Sequence, residues 1–415
     1  MRPRDDVIIA GGGPAGMMAG LLFARAGCRV RVLEKHRDFL HDFRGDTVHP
    51  ATMDVLDDLG LLDRFLERPH DRLQKAQLRI GGREMVVGDL SRVKGRTPFV
   101  AMMPQWEFLD FLRAEAVQLP NFQVEMGRGV GDIRFEEGRA TAVKTSDGTL
   151  LGASALIIAA DGRRSVVRRR GLLPAKDLGS PIDVFWFELP KRSPEQGVLR
   201  IAVDRGRILV RVDRATYWQC AFVIPKGSAQ ELRRHGVDHV RAEIERVEPR
   251  LENIGQDLTS LDQLHLLEVS LDRLTRWSRP GLLAIGDAAH AMSPMGGIGI
   301  NFAIQDAVAA ANLLAPGIAA GSSVDQLLQR VQRRRYASTA LVQAVQRIAQ
   351  NWVLAPCFIA PAVWNGRLGP CSSLTRCPPF AACRAVRSPG AYGGSGCRSP
   401  EQFASKIGIG LPPHR

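Results

Sequence analysis

No stretch of this 415-residue chain reaches the roughly 18 consecutive apolar residues that a membrane-spanning helix needs. The nearest approach, WVLAPCFIAPAVW at 352–364, is interrupted by prolines, which break a helix. No cleavable leader is expected either. Arg2 and Arg4 precede a short apolar run that ends in glycines, not in a cleavage site. None of the 7 cysteines stands in a C-x-x-C pair, so the spacing of a zinc site is absent. Five of them (Cys357, Cys371, Cys377, Cys383 and Cys397) crowd the tail, and only Cys28 and Cys220 lie in the body. These absences predict a cytoplasmic protein with free thiols and no integral membrane segment. Acidic residues are scarce, 43 against 56 Lys and Arg, giving a net charge of +13. No basic run alternates with aromatics and no nucleic-acid motif occurs, so nucleic acid is not expected as a partner. A solvated basic surface and the steering of an anionic ligand both remain open. Apolar content of 45% and charged content of 24% are ordinary for a globular chain long enough for two domains.

The densest signal is DVIIAGGGPAGMMAGLLFARAGCRVRVLEK, from Asp6 to Lys35. Val7-Ile8-Ile9 reads as a buried parallel strand. Gly11, Gly13 and Gly16 fit G-x-G-x-x-G. Gly11 permits a tight turn, Gly13 lets a pyrophosphate approach the backbone, and Gly16 lets the helix pack close to the strand. A helix from Ala15 to Ala26 would turn its free N–H groups and dipole toward the phosphates. The second strand, CRVRVLE, ends at Glu34. A carboxylate there accepts from a ribose 2′-OH and repels a 2′-phosphate, so the adenosine end belongs to FAD or NAD and not to NADP. No second G-x-G-x-x-G occurs.

Two distant stretches narrow the choice. ALIIAADGRRSVVRR (155–169) is a buried strand ending in Asp161-Gly162, then a basic helix. RPGLLAIGDAAHAMSPMGGIGINFAIQDAVAAANLL (279–314) is a strand ending in Gly286-Asp287, a Pro/Gly loop, and a long small-residue helix starting near Asn301. Together with GGGPAG and Glu34, with FRGDTVHPATMDVLDDLGLLD, and with MPQWEFLDFL, they make the chain resemble the FAD-dependent aromatic hydroxylases of the p-hydroxybenzoate hydroxylase type. The resemblance runs from about residue 6 to about residue 347.

It implies an α/β fold: a Rossmann-like FAD-binding domain, an inserted antiparallel β-sheet substrate domain, and C-terminal helices. The FAD domain is expected over 1–180, with a small excursion into the substrate layer near 76–100, and again over 276–350. The substrate domain is expected over 181–275, mainly sheet plus one amphipathic helix at AQELRRHGVDHVRAEIERV. FAD is the implied cofactor and NAD(P)H a transient co-substrate. The implied reaction hydroxylates a small aromatic substrate with O₂ through a flavin C4a-hydroperoxide. A homodimer is compatible with it.

The resemblance also implies roles. Gly11, Gly13, Ala15 and Gly16 hold the pyrophosphate; Glu34, with Lys35 beside it, holds the adenosine ribose. Arg44 contacts the FAD, and Gln105 faces the ribityl chain. Asp287, after Gly286, binds ribityl hydroxyls. Pro294 stands beside the reacting flavin edge. The N–H groups of Gly299, Ile300 and Asn301 face flavin N1 and O2. Asp161 is linked to both FAD and the nicotinamide cofactor. His49 and His290 are read as structural, and Trp186 and Trp218 as core, though a flat aromatic substrate would suit either. Alternation alone does not fix which face of the substrate sheet looks at the flavin.

Two other functions share these features. One is a membrane-surface hydroxylase of quinone precursors, which the basic charge and the apolar tail residues would suit. The other is a flavoprotein redox binder without turnover. A flavin-dependent halogenase would carry W-x-W-x-I-P, a spacing none of the 6 tryptophans shows. The tail, 351–415, lacks any period, and from Pro356 on it holds seven Lys and Arg against one acid. It reads either as a weakly ordered basic tail or as a frameshifted stretch of a GC-rich gene.

Overall fold

The computed structural model describes residues 4–40, 46–192, 197–204, 207–214, 216–251 and 253–350. Arg44 and the 351–415 tail lie outside the described residues. In chain order, β1 (Asp5–Ala10), α1 (Pro14–Arg25) and β2 (Val30–Leu33) come first. Then follow β3 (Thr47–Val48), α2 (Pro50–Asp58), α3 (Leu62–Leu66), β4 (Asp71–Leu73), β5 (Lys75–Ile80), β6 (Arg83–Asp89) and β7 (Val100–Met102). Next are α4 (Gln105–Ala116), β8 (Phe122–Glu125), β9 (Val130–Glu136), β10 (Arg139–Thr145), β11 (Leu150–Ala159), α5 (Val166–Arg169) and β12 (Ala175–Asp177). The middle holds β13 (Ile182–Pro190), β14 (Val198–Asp204), β15 (Arg207–Arg214), β16 (Tyr217–Pro225), α6 (Ala229–Arg234), α7 (Val237–Val247), α8 (Ile254–Asp257) and β17 (His265–Leu267). The chain then forms β18 (Asp272–Leu274), β19 (Ser278–Arg279), β20 (Leu282–Ala284), β21 (His290–Ala291), α9 (Gly299–Ala319) and α10 (Asp325–Ile348).

Val7, Ile8 and Ile9 are fully buried because β1 is a central strand with both faces covered. It lies parallel to β11 (Ile9 opposite Ile158) and to β2 (Ile9 opposite Val32). The main path of this eight-stranded sheet is β19-β20-β11-β1-β2-β8, parallel except at the β19 edge, and β10 and β9 join antiparallel on the first half of β11. The small residues of α1 allow close packing between this sheet and α9. α9 is a helix of 21 residues, long and apolar enough to cross a membrane. Its apolarity matches its place in the core, where Ile304, Ala307, Ala310 and Leu314 are buried. The run-length reading of the sequence passed over it because Asn301, Gln305 and Asp306 interrupt the apolar string.

The second large sheet has the order β17-β13-β16-β15-β14-β5-β6. It is antiparallel with one departure from expectation: β14 runs parallel to β5, with Ile201 opposite Leu78. The 75–89 hairpin therefore completes a sheet whose other strands come from 182–267. The single amphipathic helix expected after β16 is two, α6 and α7, because Gly236 adopts φ +85° between them. That left-handed step ends one helix and re-aims the next.

The helices settle the face question. Phe185, Phe187, Trp218, Cys220 and Phe222 pack with Val240 and Ile244 of α7 on one face. Trp186, Ala221 and Val210 are directly paired across strands and so share the other. On that face Val212 packs with Val100 and Met102 of β7, and Arg214 and Gln219 both reach Asp46, at 2.5 and 2.7 Å. This is the face turned toward β7 and Asp46. Trp218 is core, as read; Trp186 lies on the inward-looking face.

Candidate active site

The first turn is built around three glycines with three different reasons. A Cβ at Gly11 would stand 2.4 Å from the Ala160 carbonyl oxygen, and its φ of +103° also disfavours a side chain. One at Gly16 would stand 1.9 Å from the Gly11 carbonyl. One at Gly13 would meet no protein atom within 4 Å. Packing demands glycine at Gly11 and Gly16, whereas at Gly13 the absent side chain only leaves space. Gly13 caps α1 without a side-chain bond, and the first helical bond runs from the Met17 N–H to the Gly13 carbonyl (2.9 Å). The N–H groups of Ala15 and Gly16 thus precede the helical ladder. Glu34 is buried at the same turn. Its Oε2 accepts from the Gly12 N–H (2.7 Å) and its Oε1 from the His36 N–H (2.9 Å). Lys35 is exposed just beyond.

The second turn, Gly286–Ala288, touches the first. A Cβ on Gly286 would lie 2.9 Å from the Ala15 Cβ and 3.4 Å from the Ala303 Cβ of α9. Its N–H donates to Asp306 Oδ2 (3.0 Å). Asp306 is fully buried, with His290 Nε2 at 2.6 Å on the same oxygen and Arg335 Nε at 2.7 Å on Oδ1. Burial alone would raise the Asp306 carboxyl, but His290 and Arg335 outweigh it and hold its pKa below the ordinary value. His290 is therefore structural. Asp287 is gripped by Arg163, Nε to Oδ2 at 3.1 Å, and the backbone behind it by Arg168, whose Nε donates to the Ala288 carbonyl (2.9 Å). Arg163, Arg168 and Asp306 lie inside the quoted 155–169 and 279–314 stretches and Arg335 outside both, but none is assigned a role there, because their partners lie elsewhere in the chain.

Asp161 ends this strand group, its Cα 2.7 Å from where a Gly11 Cβ would be. Its carboxylate is occupied locally, accepting from the Ser165 hydroxyl and from the Val166 N–H (2.7 Å). Burial raises its pKa, and these two donors oppose the rise. The visible task of its side chain is to cap α5. Gln105 is the first residue of α4, with Pro104 in the capping position. It follows β7, which pairs with β3.

The third piece is the 292–299 loop. The Pro294 carbonyl accepts from the Gly297 N–H (3.0 Å), and the Thr47 hydroxyl donates to the Gly297 carbonyl (2.6 Å). α10 holds the loop from behind. Gln346 donates to the Ser293 and Met295 carbonyls (3.2 and 3.1 Å), and Gln350 donates to the Ser293 hydroxyl (2.6 Å). The spacing Gln343, Gln346, Gln350 is a helical stripe of buried amides, a periodicity present in the sequence but not singled out there. The Asn301 side chain is a clamp. Its Oδ1 accepts from the His49 N–H (2.9 Å) and the Thr52 hydroxyl (2.7 Å). The backbone N–H groups of Gly299, Ile300 and Asn301 precede the first bond of α9, Phe302 N–H to the Ile298 carbonyl at 3.1 Å. His49 lies against the same loop. Desolvation pulls its imidazole down to about 4, against backbone hydrogen bonds to Gly296 and Gly297.

Gly11, Ala15, Asp161, Gly286 and the start of α9 thus meet at the ends of β1, β11 and β20. Two adjoining strand-to-helix turns whose backbone N–H groups precede their helical ladders form the arrangement that binds a dinucleotide. A family profile described as an FAD binding domain matches residues 4–345. The chain belongs to this family of FAD-dependent aromatic hydroxylases and is an FAD-dependent oxidoreductase. It is 31% identical over 363 residues to a 6-methylpretetramide 4-monooxygenase of Streptomyces rimosus, covering 86% of each chain. It is 26% identical to a para-nitrophenol 4-monooxygenase of a Pseudomonas species, over 79% of this chain and 82% of that one. The fold is similar to that of PqsL from Pseudomonas aeruginosa solved with 2-aminobenzoylacetate, with a TM-score of 0.76 at 21% identity, over 86% of this chain and 99% of that one.

Proposed function

We propose that the protein hydroxylates a ring of a multi-ring phenolic compound, using NAD(P)H and O₂. The observation that carries this reading is Gly13: an unhindered glycine between two glycines fixed by packing, in a turn whose Ala15 abuts Gly286, the neighbour of Asp287. Such a cradle fits a pyrophosphate with a ribityl chain beyond it. The multi-ring substrate is supported by likeness to the Streptomyces relative, whose name gives 6-methylpretetramide as what it acts on.

When bound, FAD supplies hydride acceptance and oxygen activation. The chain supplies the rest. Gly11 to Gly16 and the N-terminus of α1 hold the pyrophosphate, and Glu34 holds the ribose. Asp287 accepts from the ribityl hydroxyls. The N–H groups of Gly299, Ile300 and Asn301, at the positive end of α9, stabilise negative charge on the pyrimidine side of the ring. Pro294 and its loop keep water from the reacting edge. The sheet face carrying Trp186, Val210 and Ala221 roofs the substrate. NAD(P)H binds transiently, since the sequence has no second G-x-G-x-x-G.

The purified protein is expected to be yellow and to release FAD, not FMN, on denaturation. FMN would leave Gly13 and Glu34 without a ligand and sink the assignment. Stopped-flow reduction with NADH and NADPH, with and without phenolic ligands, tests turnover. Reduction that is slow alone and accelerated by a ligand supports a hydroxylase. An indifferent, unreduced flavin would instead indicate a redox binder.

A further inference from the structure

We infer that Arg163 is a positioning residue for the Asp287 carboxylate and thereby sets the affinity for the flavin half of the cofactor. The inference rests on the reading that FAD occupies this site. The guanidinium is held in three directions: Nε on Asp287 Oδ2 at 3.1 Å, Nη2 on the Met292 carbonyl at 3.2 Å, and Nη1 near the Ser270 hydroxyl at 3.5 Å. It therefore cannot swing freely, and neither can the carboxylate it grips.

Folding does not account for the pair. The two side chains are 32% and 35% exposed, and an ion pair that wet contributes little to stability. The turn itself is secured by other groups. Asp306 takes the Gly286 N–H, and Arg168 takes the Ala288 carbonyl while pairing with Asp272 at 2.6 Å. Within this turn Arg163 touches only the Asp287 carboxylate; its other contacts, the Met292 carbonyl and the Ser270 hydroxyl, lie outside it and hold the guanidinium in place. Because 35% of the Asp287 side chain stays exposed, it can accept from a further donor while Arg163 holds it. A ribityl hydroxyl is such a donor. An aimed acceptor binds it more tightly than a rotating one, since less freedom is lost on binding. Arg163 also offsets a negative charge that would repel a reduced, anionic flavin.

The test is a titration of apoprotein with FAD, with riboflavin and with ADP, the last lacking any flavin half. Arg163→Ala should weaken FAD and riboflavin on the order of tenfold, the range for a hydrogen bond involving a charged group, and leave ADP unchanged. Arg163→Lys should recover part of the loss. The double variant Arg163→Ala/Asp287→Ala should bind FAD no worse than Asp287→Ala alone, because the two residues act as one. Unchanged FAD affinity in Arg163→Ala overturns the inference, as does an equal loss for ADP, which would mean general damage. Wild-type protein that binds neither FAD nor ADP overturns the underlying reading itself.

Discussion

Glu34 joins two jobs in one carboxylate. It organises the glycine turn through the Gly12 N–H, and in the function proposed above it also accepts from an adenosine ribose. Glu34→Ala should weaken FAD binding by roughly 1.5–3 kcal/mol, the worth of hydrogen bonds to a charged group. Fluorescence titration of the apoprotein checks this, and an unchanged affinity would mean that the carboxylate serves only the turn. His49 gives a pH signature. Its pKa is lowered by burial, so the unfolded chain binds the extra proton first as pH falls. Its stabilising contribution is whole above the ordinary histidine value near 6.5 and is lost as pH drops toward about 4. Urea unfolding from pH 7 to pH 4 should show this decline, and His49→Gln should flatten part of it. At this scale the sequence was legible wherever the chemistry is local. Gly11, Gly13, Gly16 and Glu34 lie within one β-α-β unit. Arg163 meets Asp287 across 124 residues, and Asp306 looks like any polar residue on a helix until its neighbours are known.

The 292–299 loop is an element clamped at both ends, by Thr47 in front and by the glutamines of α10 behind. Pro294→Gly should loosen it and raise the H₂O₂ formed per NAD(P)H consumed, with little loss of FAD. Gln346→Ala should do the same more weakly, because Gln350 still holds Ser293. A fully coupled Pro294→Gly enzyme at saturating ligand would remove the loop from the oxygen chemistry. The strands of the middle region were readable from their β-branched and aromatic content. The break between α6 and α7 was not, since one glycine inside an amphipathic pattern does not announce its φ. The parallel β14–β5 pairing was hidden for another reason: the partners lie more than a hundred residues apart, and only the assembled sheet brings them together.

For the molecule as a whole, the Asp306–His290–Arg335 cluster ties α9, α10 and the Gly286 turn into one body. Asp306→Ala would strand a buried arginine without its partner. We expect a loss of about 3–5 kcal/mol, the usual cost of breaking a buried pair from one side. Chemical denaturation measures it, and a loss under about 1 kcal/mol would mean that the cluster is replaceable.

The β5–β6 hairpin has a consequence for how this chain can be divided. The segment 182–267 supplies five strands of its sheet, and the strand that shields β14 is made more than a hundred residues earlier. Cut out by itself, that segment would present a raw edge of unpaired amides, the template on which chains add to one another. A fragment spanning 181–275 should therefore precipitate on expression. A version with 75–89 restored through a linker should stay in solution as a single species by size exclusion. The sheet is thus a piece of masonry whose last course is laid from the neighbouring wall, and in this fold it cannot be inherited, swapped or lost without the chain that supplies that course.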